Sequence, residues 1–300
     1  MKNLAATKIL AAAVLGTAVA FGGSAPAWCP DMAKVEAKSE VQQGIDWTKG
    51  SKSSITAKGV GLSKNGVAAM ARTAAIMDAQ RNLLGLIKGV QIDSETLMEN
   101  LMVQSDTVKR QIGGVLQGAE VIDEGANSGG SYYVVMSVPL FGEKGSVASA
   151  ALPVVMKSVK REPPLVVKPK EAKITPVEVQ KVQTAEYTGV VVDAGGMGLE
   201  PTFSPVIFDS NGRAVYGIKN IDPDFAIREG MVGYANDVAS ASSNKRVGAK
   251  PLVVKAVSLK TGAGGVNKVN AVVSPEDADR ILLANEKSKM LDKCAVMMVR

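Results

Sequence analysis

The chain has 300 residues, of which 46% are hydrophobic and 21% are charged, a balance typical of folded globular proteins. A formal net charge of +6, spread evenly along the chain, is too small to indicate nucleic-acid binding. The absence of histidine excludes Ser-His-Asp and Cys-His catalysis and imidazole metal ligands, and two distant cysteines cannot build a zinc site.

The first 27 residues have the three parts of a secretory signal peptide. Residues 1–8 are basic, residues 9–21 are apolar, and Ala25-Pro26-Ala27 is a small-x-small cleavage site. The apolar run is shorter than the roughly 20 residues that cross a bilayer, so a retained membrane anchor is the weaker alternative. We therefore expect an exported protein whose mature chain begins at Trp28.

Residues 28–50 are polar and show no hydrophobic period, which predicts a flexible N-terminal segment. They contain Cys29, and export would permit a disulfide between Cys29 and Cys294. Lipidation of Cys29 is a second alternative, although Trp28 directly before it fits a lipidation signal poorly. In a third alternative Cys294 is a free thiol, since its apolar surroundings predict a buried strand.

A first folded unit is predicted over residues 51–144. Alternation over Ser54–Gly61 predicts a strand, and Asn65 is suited to cap a helix over Gly66–Lys88. Since one small sheet covers one face of a helix, a second apolar face indicates contact with another layer or another chain. The two faces of this helix consist of Val67, Met70, Ala74, Met77 and Leu84, and of Ile76, Ala79, Leu83 and Ile87.

The rest of this unit predicts a helical region over Ser94–Gln111 and two further strands. The strands are Val115–Asp123 and Tyr132–Leu140, with a turn at Gly125–Gly130 between them. Consecutive strands joined by a turn favour a hairpin. The unit is therefore interpreted as a curved antiparallel sheet with a helix across it.

Residues 145–185 change in character and predict a linker between two domains. Five prolines interrupt the stretch, and proline denies the backbone regular hydrogen bonding. A solvated spacer is the simpler interpretation; a weak contact with a membrane or with cell-wall polymer is the alternative. The basic residues that would make such a contact are Lys157, Lys160, Arg161, Lys168, Lys170 and Lys173.

A second unit is predicted over residues 186–300. Tyr187–Ala194 and Leu252–Leu259 predict strands. Asn211-Gly212 between two apolar runs predicts a hairpin, because both positions accept a positive φ. The whole chain is therefore predicted to be α+β, with two small domains that each have a mainly antiparallel curved sheet and a packed helix.

The C-terminal end of this unit predicts a strand, a helix and a last strand. The helix begins with Ser274 as its cap and Pro275 at its first position, and it continues to about Asn285. The last strand covers Cys294–Val299. This order suggests a crossover between parallel strands.

Carboxylate pairs and a glycine-rich loop are the remaining candidates for chemistry. Asp222 and Asp224 lie in one loop and are interpreted as turn formers. Gly195–Gly198 follows a strand, but no helix opens after it, so a loop with positive φ is favoured over a phosphate site. We expect no enzyme activity, no cofactor and no metal. A cluster at the start of the last helix is interpreted as capping: Glu276, Asp277 and Asp279.

The first unit also resembles a known family. Ala71-Arg72-Thr73-Ala74-Ala75, followed by Asp78-Ala79, Arg81 and Leu83, resembles the core of the LPP-twenty lipoprotein family. The resemblance covers roughly Ser51–Phe141. The family includes outer-membrane-associated flagellar proteins of the flagellar protein P type and resembles the N-terminal part of flagellar assembly protein T. It implies no enzyme activity and a location in the periplasm or at the outer-membrane periphery.

The second unit resembles a C-terminal module that accompanies this domain in uncharacterised exported bacterial proteins. The likeness rests on Tyr187–Ala194, the hairpin over Ser204–Gly217 and Gly230–Ala235. Together the two resemblances imply a structural or assembly component of the cell envelope, in its specific form associated with the flagellum. A periplasmic binding module for a small ligand or polysaccharide is the alternative, and a hydrolase that uses carboxylates is a third hypothesis.

Candidate protein-contact residues lie on the alanine-rich helix. Asp78 and Arg81 are three residues apart and can meet on one helix face, either as a surface pair or within a network at a subunit contact. The expected partners are a second copy of the chain or envelope and flagellar proteins. The full set of candidates is Met70, Arg72, Met77, Asp78, Arg81 and Leu83.

Overall fold

The computed structural model describes residues 43–63, 67–93, 95–127, 130–160, 162, 165, 167, 172–261, 265 and 267–300. The helices among them are α1 (Ala68–Lys88), α2 (Met98–Gln104), α3 (Asp106–Gln117), α4 (Val147–Ser158), α5 (Pro176–Thr184), α6 (Pro223–Glu229), α7 (Val238–Ser242) and α8 (Pro275–Ser288). The strands are β1 (Gly44–Asp46), β2 (Ser54–Leu62), β3 (Glu120–Ala126), β4 (Ser131–Pro139), β5 (Gly189–Asp193), β6 (Ile207–Asp209), β7 (Ala214–Tyr216), β8 (Gly233–Ala235), β9 (Pro251–Lys260), β10 (Asn270–Val273) and β11 (Val296–Val299).

The first sheet has the strand order β1-β2-β4-β3, and all neighbouring strands are antiparallel. The predicted strand at Ser54–Gly61 is confirmed as β2, and the predicted hairpin is confirmed as β3 and β4. The predicted start of β3 at Val115 is wrong, because α3 continues to Gln117. Val108, Ile112 and Val115 share the buried face of α3, so a helical period accounts for them.

Helix α1 lies directly across β2 because both elements present small residues at the contact. Gly59 and Gly61 of β2 face Ala71, Ala75 and Ala79, which lie four residues apart on one face of α1. A Cβ atom built on Gly61 would stand 2.0 Å from the Ala71 carbonyl oxygen, so glycine alone fits there. The predicted helix is confirmed, whereas its predicted cap, Asn65, lies outside the described residues.

The second sheet has the strand order β7-β6-β10-β9-β5-β11-β8. The α+β class is confirmed, and the hairpin at Asn211-Gly212 is confirmed as β6 and β7. The expectation of a mainly antiparallel sheet is wrong for this half. Four neighbouring strands of this sheet are parallel: β9, β5, β11 and β8. Helix α6 connects β7 to β8 and helix α7 connects β8 to β9, and such helical crossovers allow consecutive strands to point in the same direction.

Helix α8 begins as predicted but connects different strands from those expected. Ser274 caps it, since its Oγ accepts a hydrogen bond of 3.0 Å from the Asp277 amide, and Pro275 is the first helical residue. The expected parallel pairing of the flanking strands is wrong, because β9 and β5 lie between β10 and β11. With 14 residues at ~1.5 Å each, α8 is long enough to carry the chain across them.

Residues 145–185, predicted as an extended linker, contain two helices. Helix α4 begins with a capping box at Ser146, and α5 begins with another at Thr175. Pro176 is compatible with α5 because the first helical residue needs no N–H donor, while Pro153 lies within α4. The expectation of an extended backbone is therefore wrong for these two segments. Between them, residues 161, 163–164, 166 and 168–171 lie outside the described residues.

Residues 43–50 have defined structure, although the sequence predicted flexibility throughout residues 28–50. Strand β1 pairs with β2, and Trp47 is buried. Trp47 packs edge-on against Phe141 at 6.3 Å, Phe203 at 5.5 Å and Tyr234 at 5.9 Å between ring centroids. Four of the scarce aromatic side chains thus meet in one cluster that draws on both predicted domains.

The two predicted domains share a continuous hydrophobic core. Backbone amides of Phe203 and Ser204 donate to the carbonyls of Gln91 and Ile92 at 3.1 and 2.9 Å. All described residues fall within one compact unit, Gln42–Arg300. That the two predicted domains can fold separately stays a prediction. In the folded chain, hydrogen bonds and core packing connect them.

No helix in the described part of the chain combines the length and the apolar character that crossing a bilayer requires. Cys294 is a buried free thiol in the turn before β11. The predicted signal peptide and Cys29 lie outside the described residues.

Candidate functional site

The candidate contact residues of α1 divide into exposed and buried side chains. Met70 is 59% exposed and Met77 is 62% exposed. Leu83 is fully buried in the internal core with Ala75 and Ala79. The assignment of Leu83 to a contact with another chain is therefore wrong, because the first sheet covers that face of the helix.

The outward face of α1 is apolar and is not covered by the described residues of this chain. We refer to it as the methionine face: Val67, Met70, Ala74 and Met77. Val67 is 44% exposed, and a shallow depression beside the methionines has Ala69 and Thr73 on its rim. The helical region predicted after this helix forms α2 and α3. Helix α3 contacts α1 through Gln80, whose side-chain amide donates to the Leu116 carbonyl at 3.2 Å.

The charged candidates make contacts within the chain. Arg72 donates to both carboxylate oxygens of Glu124 on β3, at 2.7 and 3.3 Å, and these hydrogen bonds raise the pKa of the guanidinium. Asp78 accepts from Arg81 at 3.0 Å, as the spacing predicts, and from the Val60 amide at 3.1 Å. Arg72 and Asp78 therefore connect α1 to two strands of the first sheet, β3 and β2.

The two groups of acidic residues in the second unit, one before α6 and one at the start of α8, have different surroundings. Asp222 caps α6, since its Oδ1 accepts from the Asp224 amide at 2.9 Å, and Asp224 lies in the first turn of that helix. The predicted loop with two turn-forming carboxylates is therefore wrong. Asp277 pairs with Arg280 at 3.0 Å. Asp279 does not cap α8, because its carboxylate is 1% exposed and points into the protein.

Asp279 belongs to a buried ion-paired group that the sequence did not reveal. Arg213 donates to Asp279 at 2.6 Å and to Asp209 at 2.9 Å, and the second Asp279 oxygen accepts from the Lys173 amide. Burial alone would lower the pKa of Arg213, but its hydrogen bonds to Asp279 and Asp209 raise it above the usual value. The guanidinium stays charged and joins the β6–β7 hairpin to α8.

A second half-buried guanidinium, that of Arg246, binds backbone carbonyls. One nitrogen donates to Gly230 at 3.0 Å and to Cys294 at 2.9 Å, and another donates to Glu229. Burial lowers the pKa of Arg246 and raises the pKa of the neighbouring Cys294 thiol. Arg246 thus joins two separate backbone segments, Glu229–Gly230 and the turn at Cys294, and no motif in the sequence indicates this role.

The side chain of Arg246 also lines a cleft of about 670 Å³. One wall is the segment that follows Trp47, with Lys49 and Lys52, and the other wall comes from α7 and the turn after it. We refer to it as the basic cleft, lined by Thr48–Lys52, Glu229, Ser240 and Ser243–Arg246. Its lysines come from opposite ends of the chain, so no sequence spacing could have brought them together.

The glycine loop after β5 is a turn, as predicted. Gly196 and Gly198 have φ of +75° and +80°, and Asp193 accepts from the Gly195 amide at 3.0 Å. No group of three or more Asp, Glu, Cys or His side chains in the part of the chain that the structure describes could hold a metal ion.

The second sheet coincides with a known family model. The model described as Treponema pallidum Tp0624, second domain, matches residues 189–300. The match begins at the first residue of β5 and includes every strand of the second sheet and none of the first. No curated protein matches the chain.

Proposed function

We propose that this protein is a non-enzymatic structural or assembly component of a bacterial cell envelope, exported to the periplasm or the outer-membrane periphery. The observation that carries the proposal is the methionine face. It places two largely exposed methionines on one line of a 21-residue helix, and Val67 directly before the first residue of that helix extends the apolar surface. Exposed apolar patches of this kind mark protein–protein contacts.

The occupant that we infer for the methionine face is a second copy of the chain. A helix face pairs with its own copy about a two-fold axis without any further complementary surface. Met70 and Met77 are unbranched and adaptable, while Ala69 and Ala74 beside them leave room for a neighbouring helix. Assembly with envelope or flagellar proteins would use the same face. The proposal of a flagellar partner rests on the family resemblance alone.

Self-association is tested by light scattering coupled to size exclusion on the mature chain. The wild type should be larger than a monomer, and Met70→Lys with Met77→Lys should be monomeric and still unfold in one cooperative transition. The matched control is Val103→Lys with Val177→Lys, on helices α2 and α5, where the valines are 82% and 75% exposed. A monomeric wild type, or equal dissociation by the control pair, would contradict the proposal.

A further inference from the structure

The basic cleft has an excess of positive charge that the described residues do not neutralise. Lys52 and Lys245 come from opposite walls, and neither forms an ion pair with a described carboxylate. Lys49 is paired with Asp46 at 3.0 Å. Arg246 adds a third charge, against the single carboxylate of Glu229 in the lining. The cleft is therefore suited to an anion.

The lysines, rather than the arginine, are free to bind that anion. Arg246 directs three of its five N–H donors to the carbonyls of Glu229, Gly230 and Cys294, so its guanidinium is held in place and contributes charge to the cleft. Each lysine ammonium has three donors and suits either a carboxylate or a phosphate.

Serine hydroxyls on the α7 wall of the cleft set a second requirement for the ligand. Ser240 donates its hydrogen to Asp237 at 2.7 Å, and Ser243 donates to the Ala239 carbonyl at 2.9 Å. A hydroxyl has one hydrogen, so both oxygens can only accept from a ligand in the cleft. A ligand that satisfies the cleft thus carries hydroxyl donors as well as a negative charge.

We propose that the basic cleft binds an acidic sugar, with its anionic group between Lys52 and Lys245 and its hydroxyls donating to Ser240 and Ser243. The anionic group is a carboxylate or a phosphate, since a lysine ammonium can donate hydrogen bonds to either. A volume of about 670 Å³ is sufficient for one or two sugar rings. This binding is independent of the methionine face, which lies on a different element.

The ligand would also connect the two halves of the chain. Lys52 lies between β1 and β2 of the first sheet, while Lys245 follows α7 in the second half. Because the folded state binds the ligand and the unfolded chain lacks the cleft, binding should raise the melting temperature.

Calorimetric titration of the mature chain tests the proposal with glucuronate, glucose 6-phosphate, glucose and inorganic phosphate. At least one acidic sugar should bind about tenfold or more tightly than glucose and than phosphate. Preference for glucuronate or for glucose 6-phosphate identifies the anionic group. Equal binding of glucose, or no binding of either acidic sugar, would overturn the proposal.

Variants locate the site. Lys52→Gln with Lys245→Gln should weaken the acidic sugar by about tenfold or more. Lys109→Gln with Lys255→Gln, which removes the same charge from exposed positions elsewhere, should leave affinity unchanged. Ser240→Ala should weaken the sugar but not inorganic phosphate. Equal losses in the two lysine pairs would mean that net charge alone attracts the ligand and would overturn the assignment to the cleft.

Discussion

Gly59 of β2 lies so close to Ala79 of α1 that a Cβ atom on the glycine would stand 2.1 Å from the alanine amide nitrogen. The Ala75 carbonyl oxygen is equally near, at 2.2 Å. Both neighbours are backbone atoms, which cannot rotate away as a flexible side chain could. The contact between α1 and the first sheet therefore depends on the absence of a side chain.

Gly59→Ala should destabilise the protein by roughly 3 kcal/mol or more, because the helix must move away from the sheet. Chemical denaturation with a spectroscopic readout measures the loss. Gly85→Ala is the control, since Gly85 lies in α1 with open space around the added carbon, and alanine there should stabilise by roughly 0.5–1 kcal/mol. Equal stability of the two variants would refute this account of the contact.

Leu83→Asp should unfold the protein or cost on the order of several kcal/mol, since it buries an unpaired charge at a fully enclosed position. Met77→Asp, on the opposite face of the same helix, should change the stability of the monomer by less than about 0.5 kcal/mol. Thermal denaturation of both variants makes the comparison. A folded Leu83→Asp variant would show that this face of α1 is not internal.

Arg213→Met should cost about 3–5 kcal/mol, because it leaves two buried carboxylates without their cation. The loss is measured as a shift in the denaturant midpoint. Arg81→Met removes an exposed pair with Asp78 and should cost at most about 1 kcal/mol. Similar costs for the two changes would mean that Asp209 and Asp279 are not stabilised by Arg213.

Stability should fall in alkaline solution through two buried phenols. Tyr216 donates to the Met231 carbonyl at 2.6 Å and Tyr234 to the Thr202 carbonyl at 3.1 Å, and burial raises the pKa of both. The unfolded chain releases these protons at about pH 10, whereas the folded chain retains them, so stability is full below about pH 10 and is lost above it.

Absorbance at 295 nm and denaturant titrations at increasing pH measure this effect together. Of the five tyrosines, two should ionise only as the protein unfolds. Tyr216→Phe should lower stability at neutral pH by about 1 kcal/mol while reducing the alkaline loss. Ionisation of all five near pH 10 without unfolding would contradict the prediction.

Local signals in the sequence predicted local structure well. Asn211-Gly212 and the Ser274 cap act through neighbouring backbone atoms, so their outcome did not depend on the rest of the fold. The prolines of residues 145–185 misled because proline disrupts a helix interior but suits a helix start, as Pro176 does. The strand predicted over Val115–Asp123 began too early, because Val115 belongs with Val108 and Ile112 to the buried face of a helix.

The arrangement of the second sheet and the residues of the candidate sites depended on distant contacts. Nothing near β11 in the chain specifies β5 and β8 as its neighbours. Arg246 finds its carbonyl partners 16, 17 and 48 residues away. Met70 and Met77 could be placed on an apolar face from their spacing, but only the position of the sheet shows which of the two faces stays exposed.

The aromatic cluster also determines when this protein can finish folding. Trp47 and Phe141 leave the ribosome before Phe203 and Tyr234, the rings that cover them. Until the second half is present, the first exposes apolar rings and an unpaired Gln91 carbonyl, so a partial chain gains little by folding early. If the protein is exported, as we propose, this late completion of the core would suit passage of an unfolded chain through a narrow translocation channel.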